Sequence, residues 1–120
     1  MTTATNTEPK IIYIIGKYRD SNTNKIAENI WKATQASTKL WREKWIVICP
    51  HLNTAHFEIF ASDIPDSVWM KGDLEIIKMV AGSHFKRKAV YILDNWMESE
   101  GSKEEIKLAE ELGLERIYEG

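Results

Sequence analysis

The chain has 120 residues, 43% hydrophobic and 28% charged, with a formal net charge of −2 and an isoelectric point near 5.9. That length supports one domain with one core and excludes a second, and so small a charge gives no global pull toward nucleic-acid polymers or anionic membranes, although a local basic pocket stays open. The single cysteine, Cys49, excludes an internal disulfide or a cysteine-rich metal site, and no apolar run approaches the roughly 18 residues of a membrane span, so the expectation is a soluble cytoplasmic protein.

Residues 1–9 read as a frayed polar tail without a signal-peptide core, and residues 10–120 as the single domain. The first strand, Lys10 to Ile15, contains the run Ile11, Ile12, Tyr13, Ile14 and Ile15, the pattern of a strand buried on both faces in a parallel sheet. Gly16 stops it and lets the backbone turn. Lys17, Tyr18 and Arg19 then put two cations and a ring just past the strand's carboxyl end, where open α/β sheets hold ligands. Such a loop suits an anion, most simply a phosphate, if the next helix offers its free N–H groups. Arg19 alone can equally be a surface cation.

Asp20, Ser21, Asn22 or Asn24 caps an amphipathic helix over about residues 24–42, with Ile26, Ile30, Ala33, Thr34, Ser37 and Trp41 on its inner stripe. Trp45 to Cys49 is a second buried strand, ended by Pro50. A long loop, residues 50–66, follows, and its length marks it as functional or mobile. His51, with Asn53 two residues on, can line a pocket or serve as a hydrogen-bonded structural histidine. His51 and His56 lack a third ligand at a suitable spacing, so no metal or other cofactor is expected.

Ser67 or Asp66 caps a second helix, with Val68, Trp69, Leu74, Ile76, Ile77, Met79 and Val80 apolar and Gly82 as its stop. Trp69, Met70, Ile77 and Met79 spread around more of this helix than one buried face needs, which predicts a symmetric homodimer through it. Lys86, Arg87 and Lys88 read as solvated turn before a third strand, Ala89 to Leu93. Ser102 caps a third helix that runs to Leu112 and stops at Gly113, and Glu115 to Tyr118 makes a last short strand. The five tryptophans read mainly as core or interface, with Trp96 placed where a base can stack.

The alternation of strands and helices predicts a three-layer α/β sandwich with a four-stranded parallel sheet in the order 2-1-3-4, flavodoxin- or Rossmann-like. The topological switch then falls between the first and third strands, and the loops after Ile15 and Leu93 share one crevice. The second loop, DNWMESEGSKEE, supplies Asp94, Trp96, Glu98, Ser99, Glu100 and Gly101, with Glu104 and Glu105 in the first turn of a helix.

Five pieces of the chain, YIIGKYR, the helix with Ala27 and Trp31, CPHLNTAHF, WMKGDLEII and NWMESEGSKEE, come in an order and spacing that resembles a phage and bacterial family similar to nucleoside 2-deoxyribosyltransferases. The resemblance covers about Ile12 to Gly113. The 2-deoxynucleoside 5-phosphate N-hydrolases, small dimeric relatives that cleave the bond between base and sugar, share the layout. In both, a glycine followed four residues later by a glutamate at the start of the last helix carries the nucleophilic carboxylate, and Gly101 and Glu105 match that spacing. Asp73, in GDLE, resembles the aspartate that orients or protonates the base. Where the hydrolases carry a second glycine and an aromatic just before the glutamate, Lys103 and Glu104 stand here, and Lys17 takes a place often filled by a small residue or proline.

The resemblance implies an enzyme acting on a nucleotide or nucleoside. Breaking an N-glycosidic bond develops positive charge on the anomeric carbon and negative charge on the departing base, and two carboxyl groups can serve the two ends. Glu105 would attack or stabilise the anomeric carbon, Asp73 would serve the base, and Tyr13 would sit near Glu105 and position it. Arg19 and the N–H groups around Ser99 and Gly101 would hold a 5-phosphate. Glu104 competes with Glu105 for the same role. The rival expectations are a nucleoside 2-deoxyribosyltransferase, a non-catalytic nucleotide-sequestering protein of phage origin, and an interaction protein using the long loop.

Overall fold

The structure, a computed structural model, describes residues 8–120. Most of the expected tail therefore lies outside the described residues. The elements run β1 (Lys10–Ile15), α1 (Thr23–Arg42), β2 (Trp45–Ile48), α2 (Pro50–Asn53), α3 (Phe57–Phe60), α4 (Asp66–Ala81), β3 (Arg87–Ile92), a single 3-10 turn (Trp96–Glu98), α5 (Glu100–Glu111) and β4 (Glu115–Tyr118). The strands form one all-parallel sheet in the order β2-β1-β3-β4, the order predicted from the sequence. No helix among the described residues is long and apolar enough to cross a membrane.

β1 is central. Lys10 lies opposite both Trp45 and Arg87, and Ile15 lies opposite Ile92. Because successive side chains in a strand point to opposite faces, β1 feeds two cores. Ile12 and Ile14 pack with Ala89, Tyr91, Leu93 and the α1 residues Ala33, Ala36 and Leu40. Ile11, Tyr13 and Ile15 pack with Val90, Ile92, Ile77 and Val80 of α4, and Ile106 and Ala109 of α5. One helix thus covers one face and two cover the other, giving three layers.

The local expectations hold in part. Asn22 caps α1, its side chain accepting from the Asn24 N–H at 2.8 Å. The inner stripe of α1 runs through Ile26, Asn29, Ala33, Ala36, Ser37 and Leu40, so Trp41 and Trp31 face outward, 53% and 60% exposed. β2 is an edge strand, and only Trp45 of its four residues is buried. Residues 50–66 are not one open loop. Pro50 ends β2 by starting α2, where a missing N–H costs nothing, and α3 follows after His56 in the left-handed region at φ 68°.

Arg87 and Lys88 belong to β3 and not to a turn. The Arg87 guanidinium holds Glu115 of β4 through two hydrogen bonds of 3.0 and 3.1 Å, and Lys88 Nζ donates to the Ala81 carbonyl at 2.7 Å. Pro65 precedes α4, with neither Asp66 nor Ser67 in the cap position. Ser99 caps α5, its Oγ accepting from the Ser102 N–H at 3.0 Å, so Ser102 is a residue of the helix. Gly113, at φ 74°, ends α5 in the left-handed conformation that glycine reaches without strain.

Candidate active site

Tyr13, at the middle of β1, is fully buried on the face covered by α4 and α5. Its hydroxyl donates to Glu105 Oε2 at 2.6 Å, joining residues 92 apart in sequence. Starting α5 at Glu100 puts Glu105 in the second turn, beyond the reach of the helix dipole, which fades within the first. With 3.6 residues per turn, Ser102, Glu105, Ile106 and Ala109 make the buried stripe of α5. Glu105 points inward and Glu104 stays exposed, which separates the two candidates.

Glu105 is only 6% exposed. Burial pushes its carboxyl up to about 8, the charges on Asp73 and Glu104 add to that, and the Tyr13 hydrogen bond opposes it. Asp73 on α4 is half-buried, and burial pushes it up to about 6. Tyr13 is held above the usual phenol range, first by burial and then by the negative charge of Glu105, so its hydroxyl stays a donor. Two carboxyl groups of raised pKa therefore stand within each other's electrostatic reach.

They line a cleft of about 420 Å³. One wall is the loop after β1, with Gly16, Lys17, Tyr18 and Arg19, and another is Pro50, His51, Thr54, Phe57 and Glu58. The first turns of α4 add Asp66, Ser67, Trp69, Met70 and Asp73. Glu98, Ser99, Glu100, Gly101, Ser102 and Glu105 complete it. The loops after β1 and β3 meet across the sheet, the Lys17 N–H donating to Asn95 Oδ1 at 3.0 Å. The Tyr18 hydroxyl donates to Glu58 Oε1 at 2.8 Å and accepts from the His56 N–H at 3.1 Å, tying the segment before α3 to the same loop.

Two glycines fit this architecture for steric reasons. A Cβ on Gly16 would stand 2.5 Å from Leu93 Cδ1, so the strand end needs glycine for close packing against β3's exit. A Cβ on Gly101 would press on the terminal methyl of Met70, the flexible end of a side chain on α4, so the constraint on this glycine is milder.

Both cations of the loop are already paired. Lys17 Nζ lies 3.1 Å from Asp20 and 3.6 Å from Glu98, and Arg19 Nη2 lies 2.8 Å from Asp66 Oδ1. Against these two cations the cleft presents Glu58, Asp66, Asp73, Glu98, Glu100 and Glu105. Among the described residues no group of three or more histidines, cysteines, aspartates or glutamates is placed to hold a metal ion.

The cleft brings together Gly16, Lys17, Tyr18, Arg19, His51, Asp73, Ser99, Gly101 and Glu105, with Tyr13 beneath Glu105. Two candidates fall outside it. Asn53 is exposed at the end of α2, pointing away because a four-residue helix carries His51 and Asn53 on different sides. Trp96 pairs edge-on with Tyr118 at 6.2 Å between ring centres and packs against the core, and it is not part of the cleft lining. Sequence reading missed Trp69, Met70, Phe57, Glu58 and Ser102. Trp69 and Met70 had a usable signal, since they precede Asp73 by four and three residues and so share its helix face.

No curated protein matches the chain. A family model matches residues 34–118, a stretch that holds Asp73 and Glu105 and starts within α1, after Tyr13 and the first cleft loop. That stretch is well over half of the chain, which therefore belongs to the family described as a domain of unknown function, DUF4406.

Proposed function

We propose that this protein breaks, or transfers across, the base–sugar bond of a nucleoside 5-monophosphate, with Glu105 as the nucleophile. The observation that supports this reading most is the buried carboxyl of Glu105, held at 2.6 Å by the Tyr13 hydroxyl in a cleft that also holds Asp73. An ionised Glu105 gives the anomeric carbon an oxygen. The C–O bond forms as the C–N bond breaks, the bonding pair leaves with the base, and the Asp73 proton goes to the base nitrogen. Water then attacks the same carbon and passes its proton to Asp73, and the sugar–Glu105 bond returns its pair to the carboxylate. A second base in place of water gives transfer.

Without ligand, the higher pKa of Glu105 draws a shared proton toward it and away from Asp73. A sugar carbon gaining positive charge favours ionised Glu105 and so reverses that preference. The test is incubation with each common nucleoside and nucleoside monophosphate, with chromatography of free base and Glu105→Gln as the control. Equal base release by the variant would end the reading.

The acid-rich lining favours a second reading, in which the substrate is a free nucleoside and the reaction is transfer. A phosphate dianion must compete with Asp66, Asp20 and Glu98 for the two cations, whereas a neutral nucleoside need not. Binding of nucleotide with no base release from any substrate would make the protein a nucleotide-sequestering module.

The same proposal includes a symmetric homodimer. Of the four residues expected to reach outward from α4, Ile77 is fully buried and Trp69 and Met70 line the cleft, which leaves Met79, with Val68, on the outside. Phe57, Ile59 and Phe60 of α3 are 44%, 69% and 87% exposed beside the cleft mouth, so a second copy seated there would close it. Light scattering should give twice the mass of the chain, and a stable monomer at micromolar concentration would contradict it.

A further inference from the structure

Two buried polar atoms of the cleft, Ser102 Oγ and His51 Nδ1, have no hydrogen-bond partner among the described residues. Ser102 is 1% exposed and His51 3%, and both line the same cleft as Glu105. A buried polar group left unpaired destabilises a fold, so each position has a physical reason to be apolar that the sequence does not follow.

The two atoms offer different halves of a hydrogen bond. His51 Nε2 lies 3.0 Å from the Lys17 carbonyl oxygen, which can only accept, so Nε2 carries the ring proton. Burial holds the imidazole below its ordinary pKa and therefore neutral near pH 7, which leaves Nδ1 bare as an acceptor. Ser102 Oγ can donate or accept. It stands three residues before Glu105 on the buried stripe of α5, so the two side chains are neighbours on one helix face. Ser99 is not its equivalent, because the Ser99 hydroxyl is engaged in capping the helix.

We propose that Ser102 and His51 are specificity-determining contacts for the sugar hydroxyls, with Ser102 Oγ meeting the hydroxyl next to the anomeric carbon and His51 Nδ1 accepting from another. The inference rests on the nucleoside reading above and goes beyond it by naming the sugar. The hydroxyl beside the anomeric carbon is the one that 2-deoxyribose lacks. A serine left unpaired there favours the ribo form, which gives its already buried hydroxyl a partner, whereas the deoxy form leaves it as unpaired as in the free protein. The cleft is built for ribose.

The experiment uses the Glu105→Gln protein as parent, so that binding is read without turnover. Calorimetric titrations take the four common nucleosides, their 5-monophosphates and the 2-deoxy counterparts of each. The ribo form of the preferred base should bind about tenfold tighter than its deoxy form, and Ser102→Ala should abolish the difference. His51→Gln keeps an amide donor for the Lys17 carbonyl and loses the ring acceptor, so it should weaken both forms by about the same tenfold. In the free protein Ser102→Ala should raise the melting temperature, because it removes an unpaired hydroxyl, whereas a serine with a structural role would lower it. A deoxy form that binds as tightly as the ribo form overturns the inference alone, as does a Ser102→Ala protein that melts lower and binds unchanged. A parent that binds none of the probes overturns the nucleoside reading and the inference with it.

Discussion

The two faces of the sheet are packed from alternate residues of the same strand, yet they hold different interiors. On the α1 side, Ile12, Ile14, Ala33, Ala36, Leu40 and Leu93 close on one another. The polar groups buried there are satisfied, Ser37 Oγ donating to the Ala33 carbonyl at 2.8 Å within the helix and Asn29 Nδ2 to the Tyr18 carbonyl at 3.2 Å in the loop after β1. On the other side an equally apolar cluster is interrupted by the Tyr13–Glu105 pair, whose carboxyl is held far from its ordinary pKa. A sheet selected for stability alone would be filled like the α1 side. The contrast shows where residue identity answers to something other than packing.

The largest expected effect is at Glu105. Glu105→Gln should lower base release by several orders of magnitude with ligand binding kept, because the amide preserves the shape but cannot bond to the anomeric carbon. The same change should stabilise the fold at high pH. The carboxyl titrates near 4.5 in the unfolded chain and at about 8 in the folded one. Between those values the unfolded chain ionises while the folded chain keeps its proton, so stability is full below the window and falls as pH rises through it, by up to about 1.4 kcal/mol per pH unit. Urea melts near pH 5, 7 and 9 should show the variant gaining on the wild type as pH rises. Parallel curves would mean that Glu105 titrates normally.

On the other face, Ile14→Ala should cost about 3 kcal/mol in the same melts, through lost burial and the cavity left behind, with no dependence on pH. A pH-dependent cost there would erase the distinction between the faces.

Tyr13→Phe keeps the ring and removes the hydroxyl that favours ionised Glu105. Catalysis should fall about 10- to 100-fold, and the acid limb of the kcat/KM profile should move to higher pH. A limb that stays in place would reduce Tyr13 to packing.

Arg19→Ala should have the smallest effect, since the side chain is half-exposed and already paired with Asp66. A loss of about tenfold in monophosphate binding by calorimetry, with nucleoside binding unchanged, is expected. Should the wild type bind nucleoside and monophosphate equally, the loop after β1 is no phosphate site and transfer moves ahead of hydrolysis.

The strand order was legible because β1 is so uniformly apolar and because helical and strand periods alternate along the chain. What escaped was everything that depends on a short element or a boundary. Helices of four residues, such as α2 and α3, are too brief to show a period, so residues 50–66 read as loop. Ser99 and Ser102 are both plausible caps, and only the hydrogen bond from the Ser102 N–H decides between them. Ile106 and Ala109, buried on the same stripe, then place Glu105 and not Glu104 facing inward. Trp41, expected on the inner stripe of α1, faces outward, because an aromatic residue looks the same in sequence whether it packs inward or covers a surface.

The 92-position separation of Tyr13 and Glu105 also governs when this site can exist. Closing so long a loop is entropically costly, and the contact needs β1 and α5 together on the face where Tyr13 and Glu105 meet. During synthesis the first strand, its loop and the helix carrying Asp73 all emerge before Glu105 does. A chain interrupted before α5 therefore has Tyr13 and Asp73 but no Glu105 to complete the pair. The Tyr13–Glu105 contact reports that both ends of that long loop are in place, with β4 still to be added after it.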